Sequence, residues 1–177
     1  CDRIIRVYRE TYPAIPALWR EANKALKTMM QDKVDGLGRE GILFVEGTRG
    51  IRLPNGLYIK YPNLRVQEPE EEGGYDETVY DTRKGRAILP NRIYGGKVIE
   101  NVCQALARNV IGEQLLNVAK KYKVVMTVHD AIGCIVREAQ VEGAMQQVEE
   151  IMKVRPAWAL DLPLDCEGGF GASYGEC

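Results

Sequence analysis

Apolar residues in the first 36 positions recur every three or four residues, which is typical of amphipathic helices. The pattern predicts a helix over residues 2–12 that Pro13 ends or kinks, and Pro16 suits the first turn of the next helix. That second helix is predicted to be long and to end near Gly36 and Gly38. Its apolar positions are Leu18, Trp19, Ala22, Ala25, Leu26, Met29 and Met30.

The middle of the chain has short apolar runs that are separated by turn residues, so it predicts strands. Residues 42–47 form one such strand, and Asn55-Gly56 between two apolar runs predicts a hairpin. Residues 78–89 predict further short strands around Lys84-Gly85. The acidic segment 67–77 predicts a solvated surface loop.

The second half begins with Tyr94-Gly95-Gly96, which is predicted to break the chain before a helix over residues 97–122. Two apolar runs then flank His129-Asp130 and predict a β-hairpin with buried arms and this dipeptide at its turn. The runs are 124–128 and 131–136, and a last amphipathic helix follows over 141–152.

Composition narrows the class of protein. The chain has 177 residues, 45% of them apolar, and a net charge of −1, which fits a globular domain and excludes a strongly basic nucleic-acid binder, though not a local basic surface. No apolar run approaches the ~20 residues of a membrane span, and no signal-peptide pattern opens the chain. The five cysteines form no CxxC pair, which favours a reducing compartment such as the cytoplasm.

The predicted helix after Gly96 has one polar stripe. At ~100° per residue, Lys97, Asn101, Gln104 and Arg108 fall on one narrow side, opposite an apolar face. That apolar face consists of Ile99, Val102, Cys103, Leu106 and Val110. The stripe has no acidic residue at i,i+4 spacing, so it fits either an ordinary solvated face or contact with the backbone and minor groove of a nucleic acid.

The turn between the two apolar runs offers a second candidate chemistry. An Asp in a turn is common for local reasons, but a carboxylate fixed at the end of a hairpin is also a good Mg²⁺ ligand. Asp130 alone does not hold two metal ions, so a second carboxylate is needed. Asp165 and Glu167 are candidates within the chain, and a residue before Cys1 is another. A chain that starts at Cys1 is expected to be a piece of a longer protein, with a splice junction as the alternative.

Several segments together resemble family A DNA polymerases, the DNA polymerase I type, and especially the phage members. They occur in the family's order and span nearly the whole chain. TYPAIPALW resembles the helices after the family's nucleotide-binding O helix, IRLPNGLYIKYPNL its LPSGxxLxYxxL segment, and YGGKVIENVCQALAR its minor-groove palm helix. VVMTVHDAIGCIV resembles motif C, and LPLDCEGGFG (162–171) is similar to the closing strand.

The resemblance implies roles for individual residues. Asp130 would be the motif C metal ligand, His129 would contact the primer terminus, and Gln104 would reach the minor groove at the new base pair. Asn101 is a looser match, because the family's Asn often lies where this chain has Glu100. Lys97 and Arg108 are nucleic-acid contacts inferred from the helical wheel alone. Ala131 stands where motif C usually has Glu, and activity is expected to survive this change.

The implied fold is α+β, a polymerase palm with an antiparallel sheet and packed helices plus the C-terminal part of the fingers. Residues 1–90 would belong to the fingers, with a β-hairpin insertion, and residues 91–177 to the palm. The implied partners are primer–template DNA, dNTP and two Mg²⁺ ions in the complete enzyme. Motif A and the O helix are absent from this sequence, so a missing N-terminal part of the polymerase is an expected partner, and the chain alone is expected not to polymerise.

Three alternatives remain open at this point. HDAIG is also similar to the HDSxG turn of single-subunit RNA polymerases. A non-catalytic module that binds primer–template or a partner chain would carry the same polar helix face. An unrelated α+β domain with chance matches is the third.

Overall fold

Two helices open the chain on either side of the Pro13 position. They are α1 (Asp2–Thr11) and α2 (Ala14–Met30) in a computed structural model, which describes residues 2–68 and 75–177. No residue of α1 is buried, whereas α2 buries one stripe at helical spacing. The apolar residues of that stripe are Ala22, Ala25, Leu26 and Met29. Both helices were predicted, and Pro16 lies in the first turn of α2 as expected.

The predicted end of α2 near Gly36 is wrong, because the helix ends at Met30. Asp32 takes a left-handed backbone conformation with φ 53°, and its Oδ1 accepts a hydrogen bond from the backbone N–H of Thr48 at 3.0 Å. The left-handed conformation turns the chain out of the helix, and the bond ties Asp32 to the segment that follows β2. Gly36 consequently lies in a strand.

An antiparallel four-stranded sheet covers the buried stripe of α2. Its strands lie in the order β1 (Val34–Leu37), β2 (Leu43–Glu46), β3 (Ile51–Arg52) and β4 (Tyr58–Ile59). The strand predicted over 42–47 is thus confirmed. The core of this part of the molecule lies between α2 and the sheet, and each fully buried Leu or Ile side chain there contributes about 1.5–3 kcal/mol.

The hairpin predicted at Asn55-Gly56 is present, but its turn differs from a two-residue one. Pro54 fixes the turn between Leu53 and Gly56, where the Gly56 N–H donates to the Leu53 carbonyl at 2.9 Å. Gly56 has φ 80°, which lets the chain re-enter β4, and Asn55 Oδ1 accepts from the Leu57 N–H at 3.0 Å.

A second antiparallel sheet follows, with the strand order β5 (Arg65–Gln67), β6 (Glu77–Lys84) and β7 (Ala87–Arg92). The strands predicted around Lys84-Gly85 are confirmed, and Gly85 takes φ 63° in the turn. Most of the predicted acidic loop, residues 69–74, lies outside the described residues, as does Cys1.

Helix α3 (Gly95–Ala119) begins at the glycines that were predicted to break the chain, and it ends three residues before the predicted Tyr122. Gly95 is inside the helix because α2 passes very close to it. A Cβ there would lie 1.9 Å from the carbonyl oxygen of Trp19, and the Gly95 N–H donates to Asn23 Oδ1 at 2.7 Å. The glycine pair therefore serves close helix packing.

The remaining elements are β8 (Lys123–Val128), β9 (Ala131–Ile135) and α4 (Val141–Met152). The C-terminal half of α3 contacts the later chain through two side-chain hydrogen bonds, from Gln114 to the Met152 carbonyl and from Trp158 to Glu113. A third hydrogen bond, from Tyr122 just after the helix, reaches Gln147. The hairpin and α4 were predicted. The closing strand that the resemblance implied over 162–171 is absent, because this described segment forms neither a helix nor a strand.

The elements divide into two compact units, residues 1–106 and 107–177, and the division falls within α3. Helices and small antiparallel sheets together make the fold α+β, as the resemblance implied. The boundary predicted between residues 90 and 91 stays a prediction. Across residues 2–68 and 75–177, every helix is too short or too polar to cross a bilayer.

Candidate nucleic-acid interface

The β8–β9 hairpin places His129 and Asp130 at its tip. Val128 pairs with Ala131, so His129 and Asp130 alone form the turn. His129 has φ 54°, a left-handed conformation that costs a non-glycine residue ~1–2 kcal/mol. Both turn residues are exposed, and so is Ala131. The tip therefore presents a carboxylate and an imidazole directly to the surroundings.

The arms of this hairpin were predicted to be buried, and that prediction is wrong. No residue of β8 or β9 is buried, and Val125 and Ile135 are 48% and 61% exposed. The hairpin forms a two-stranded sheet of its own, so no third strand covers its edges among the described residues. The two apolar runs predicted the strands correctly, but such runs do not show whether another layer of the protein covers the strands.

An irregularity in the ladder shapes the hairpin below its tip. Val124 pairs with Cys134 and Met126 with Gly133, which leaves Val125 as an extra residue in β8. Such a bulge bends the strand and increases its twist, and bulges are common beside active sites. A side chain at position 133 would be crowded, because its Cβ would lie 2.6 Å from Met126 Cγ. Glycine therefore lets the bulge close against the opposite strand.

One of the two internal candidates for a second metal ligand, Asp165, is engaged with a lysine. Asp165 forms an ion pair with Lys153 at 3.1 Å, and this hydrogen bond lowers the pKa of the Asp165 carboxyl. Among the described residues, no group of three or more His, Cys, Asp or Glu side chains could hold a metal ion, so Glu167 does not complete one either. Asp130 is thus not part of a three-ligand metal group in the part of the chain that the structure describes.

On α3, the buried face is rotated relative to the predicted one. Val98 is fully buried and Val102 is 4% exposed, and Ile99 and Leu106 pack partly against the same core. Cys103, which was predicted to be on the buried side, is exposed. The core therefore touches the side of α3 centred on Val98 and Val102.

This rotation brings two of the four predicted donors into contacts within the protein. Lys97 Nζ forms an ion pair with Glu100 at 2.9 Å, and the pair raises the pKa of the Lys97 ammonium. Asn101 Nδ2 donates to the hydroxyl of Tyr61 at 3.1 Å. The sequence prediction that the stripe lacks acidic neighbours took only i,i+4 spacing into account. Glu100 lies at i,i+3 from Lys97 and was therefore missed.

Gln104 and Arg108, in contrast, are exposed, and their side chains have no hydrogen bond or ion pair with any other described residue. Both remain available to a ligand. Arg reaches phosphates, and a Gln amide both donates and accepts, which suits minor-groove base edges.

Tyr61 is a site residue that sequence reasoning missed. Its ring is 7% exposed, burial raises the pKa of its hydroxyl, and it stacks edge-on against Tyr80 with a centroid separation of 5.1 Å. Its hydroxyl accepts the hydrogen bond from Asn101 and so holds the Asn101 side chain in place. The signal was present, since Tyr61 lies in the segment IRLPNGLYIKYPNL, which carries part of the family resemblance.

Comparison with known proteins finds one informative similarity. The chain is 31% identical over 173 aligned positions to a protein named DNA polymerase from Bacillus phage SP02. The alignment covers 88% of this chain and 26% of the phage protein, so the chain spans about a quarter of the length of that relative. No family model matches the chain, and no solved structure matches it.

Proposed function

We propose that this chain is part of a DNA-directed DNA polymerase of family A and that it carries palm residues which meet the primer end. Two observations support the proposal. The chain is related to a phage protein named DNA polymerase over most of its own length. Independently of that similarity, its hairpin tip exposes the two side chains, His129 and Asp130, that the reaction would need.

The observation that carries the proposal is the exposed carboxylate of Asp130 on a two-residue hairpin turn. His129 supports the same conclusion through its backbone. The left-handed φ of 54° at His129 is a conformation that non-glycine residues adopt infrequently, and His129 is the single His of the chain. Strained positions of this kind cluster at functional sites.

Asp130 fits Mg²⁺, because this ion is usually held by one or two carboxylates together with waters and substrate phosphates. When bound, such ions stabilise the attacking and leaving oxygens of an in-line phosphoryl transfer. Asp130 would supply one ligand. Asp165 is paired with Lys153, and no group of three or more metal-ligating side chains occurs among the described residues, so we infer that another carboxylate comes from a polymerase segment not included in these 177 residues.

The remaining residues would position the nucleic acid. We infer that Gln104 contacts the minor groove, that Arg108 contacts a phosphate, and that His129 contacts the primer terminus. Asn101 is hydrogen-bonded to Tyr61, and Lys97 forms an ion pair with Glu100. The contributions of Asn101 and Lys97 to DNA binding would therefore be smaller. The reaction would join the primer 3′ oxygen to the α-phosphorus of a dNTP, and the chain alone would not catalyse it.

The test is primer extension by the polymerase that contains this segment, with Asp130→Asn. Extension should fall at least ~100-fold, because the lost charge would act on the transition state. Affinity for primer–template should be unchanged. Asp76→Asn is the matched control, since Asp76 is another exposed carboxylate and lies outside the site. Near-normal extension by Asp130→Asn would refute the assigned role.

A second candidate function is a module that binds primer–template without catalysing a reaction. The observation in its favour is that Gln104 and Arg108 on α3 are exposed and could contact DNA whether or not a reaction follows. In that case Asp130→Asn would change neither extension nor binding, whereas Gln104→Ala would weaken binding.

A further inference from the structure

The β6–β7 hairpin projects from the sheet to which it belongs. β5 pairs only with Glu77, Thr78 and Val79, the first three residues of β6. Beyond that point, β7 is the only strand that pairs with β6 among residues 2–68 and 75–177, as far as the Lys84–Ala87 pair. All six residues of β7 are exposed. The outer part, residues 82–89, is therefore a free two-stranded ribbon, and we refer to it below as the ribbon.

The base of the ribbon is firmly held. Val79 is 4% exposed, and Tyr80 packs edge-on against Tyr61. Asp81 accepts hydrogen bonds from Arg65 at 2.8 Å and Asn63 at 2.9 Å, and these contacts lower the pKa of its carboxyl. The Asp81 N–H also donates to the Pro62 carbonyl at 2.8 Å. A ribbon on such a base keeps its direction when a ligand binds to its end.

The end of the ribbon carries concentrated positive charge. Arg83, Lys84 and Arg86 surround Gly85, and residues 82–92 contain no Asp or Glu, although the whole chain has a net charge of −1. All three side chains are exposed. Arg83 Nε donates to the Gly85 carbonyl at 3.1 Å, and none of the three cations pairs with a carboxylate among the described residues.

The size of the ribbon suits the groove of a duplex. Strand residues rise ~3.3 Å each, so the pairs from Thr82–Leu89 to Lys84–Ala87 together with the turn extend roughly 10 Å. The major groove of B-DNA is about 12 Å wide and 8.5 Å deep and admits a two-stranded β-ribbon. Phosphates border both sides of the groove, where cations at the end of a ribbon would meet them.

We propose that the ribbon is a DNA-binding element that enters the major groove of duplex DNA and contacts backbone phosphates through Arg83, Lys84 and Arg86. The choice of DNA over an acidic protein surface rests on the proposed function. The ribbon is a different element from α3 and from the hairpin that carries Asp130, and we assign it a contribution to affinity and not to the reaction.

The test is binding of the 177-residue chain to a fluorescein-labelled 20-base-pair duplex across a range of salt concentrations. The triple variant Arg83→Ala/Lys84→Ala/Arg86→Ala should bind at least about tenfold more weakly at low salt. The slope of log K against log salt should become shallower by about 2–3, which corresponds to three lost phosphate contacts. A single strand of the same length should show a smaller difference between the two proteins.

The matched control removes three exposed cations elsewhere, in Arg3→Ala/Lys27→Ala/Lys33→Ala, so that net charge changes equally. If this control loses as much affinity, or if the triple variant binds as tightly as the parent chain, the ribbon inference is wrong. The same holds if the parent chain does not bind the duplex at low salt. A ribbon that binds DNA while Asp130→Asn leaves extension intact would instead overturn only the proposed function.

Discussion

At the scale of single residues, His129 and Asp130 form the whole turn of the β8–β9 hairpin and are exposed at its tip. The turn was predictable because two apolar runs are separated by a polar dipeptide, which is a local signal. The exposure of Val125 and Ile135 on the arms was not predictable, because burial depends on distant chain that alternation does not specify. The side chains of Asp130 and His129 were placed correctly at the tip.

For the polar donors on α3, too, local spacing was predictable from the sequence and contacts with distant residues were not. The wheel correctly put Gln104 and Arg108 on an exposed side, since helical spacing alone decides that they share it. It could not show that Asn101 meets Tyr61, 40 residues earlier, nor that the core would favour Val98 over Cys103. Contacts between distant residues decide how far a helix rotates toward its core.

Replacing Gln104 should therefore weaken DNA binding more than changing its neighbour. We expect Gln104→Ala to raise the Kd for primer–template roughly three- to tenfold, the net value of one or two hydrogen bonds. The loss should be similar for all base pairs, because minor-groove acceptors are nearly alike. Titration of labelled primer–template measures this, with the exposed Cys103→Ala as control. Equal affinity of the two variants would remove Gln104 from the interface.

At the scale of elements, the start of α3 is the clearest difference from expectation. Glycine usually interrupts a helix, and Tyr94-Gly95-Gly96 was interpreted in that way. The helix nevertheless includes both glycines. Position 95 requires glycine because the packing of α2 against α3 leaves no room there for a Cβ. Sequence alone does not distinguish a glycine that breaks a helix from one that lets two helices approach.

This interpretation predicts opposite effects for two glycines of the same helix. Gly95→Ala should destabilise the fold by about 1–3 kcal/mol, because its Cβ would collide with the Trp19 carbonyl. Gly112→Ala meets nothing within 4 Å and should stabilise the helix by up to about 1 kcal/mol. Urea unfolding measures both free energies. Equal stability of Gly95→Ala and the parent chain would mean that α2 and α3 are not in close contact.

At the scale of the whole molecule, the order and type of the main helices and strands follow from local periodicity and turn chemistry. What does not follow is the grouping of strands into three separate sheets and the division into two units within α3. Those features arise from packing among residues far apart in the sequence. The last segment, which resembled a closing strand, has no strand partner among the described residues and so forms none.

The central claim is that the tip of the β8–β9 hairpin meets the 3′ end of a primer. The most direct measurement is photo-crosslinking, with p-benzoylphenylalanine in place of the exposed Ala131, in the polymerase that contains this segment and with a labelled primer–template. We predict crosslinks at the last one or two nucleotides of the primer strand, and their loss when the primer end is moved back. Crosslinks spread along the duplex, or confined to the template far from the primer end, would contradict the claim.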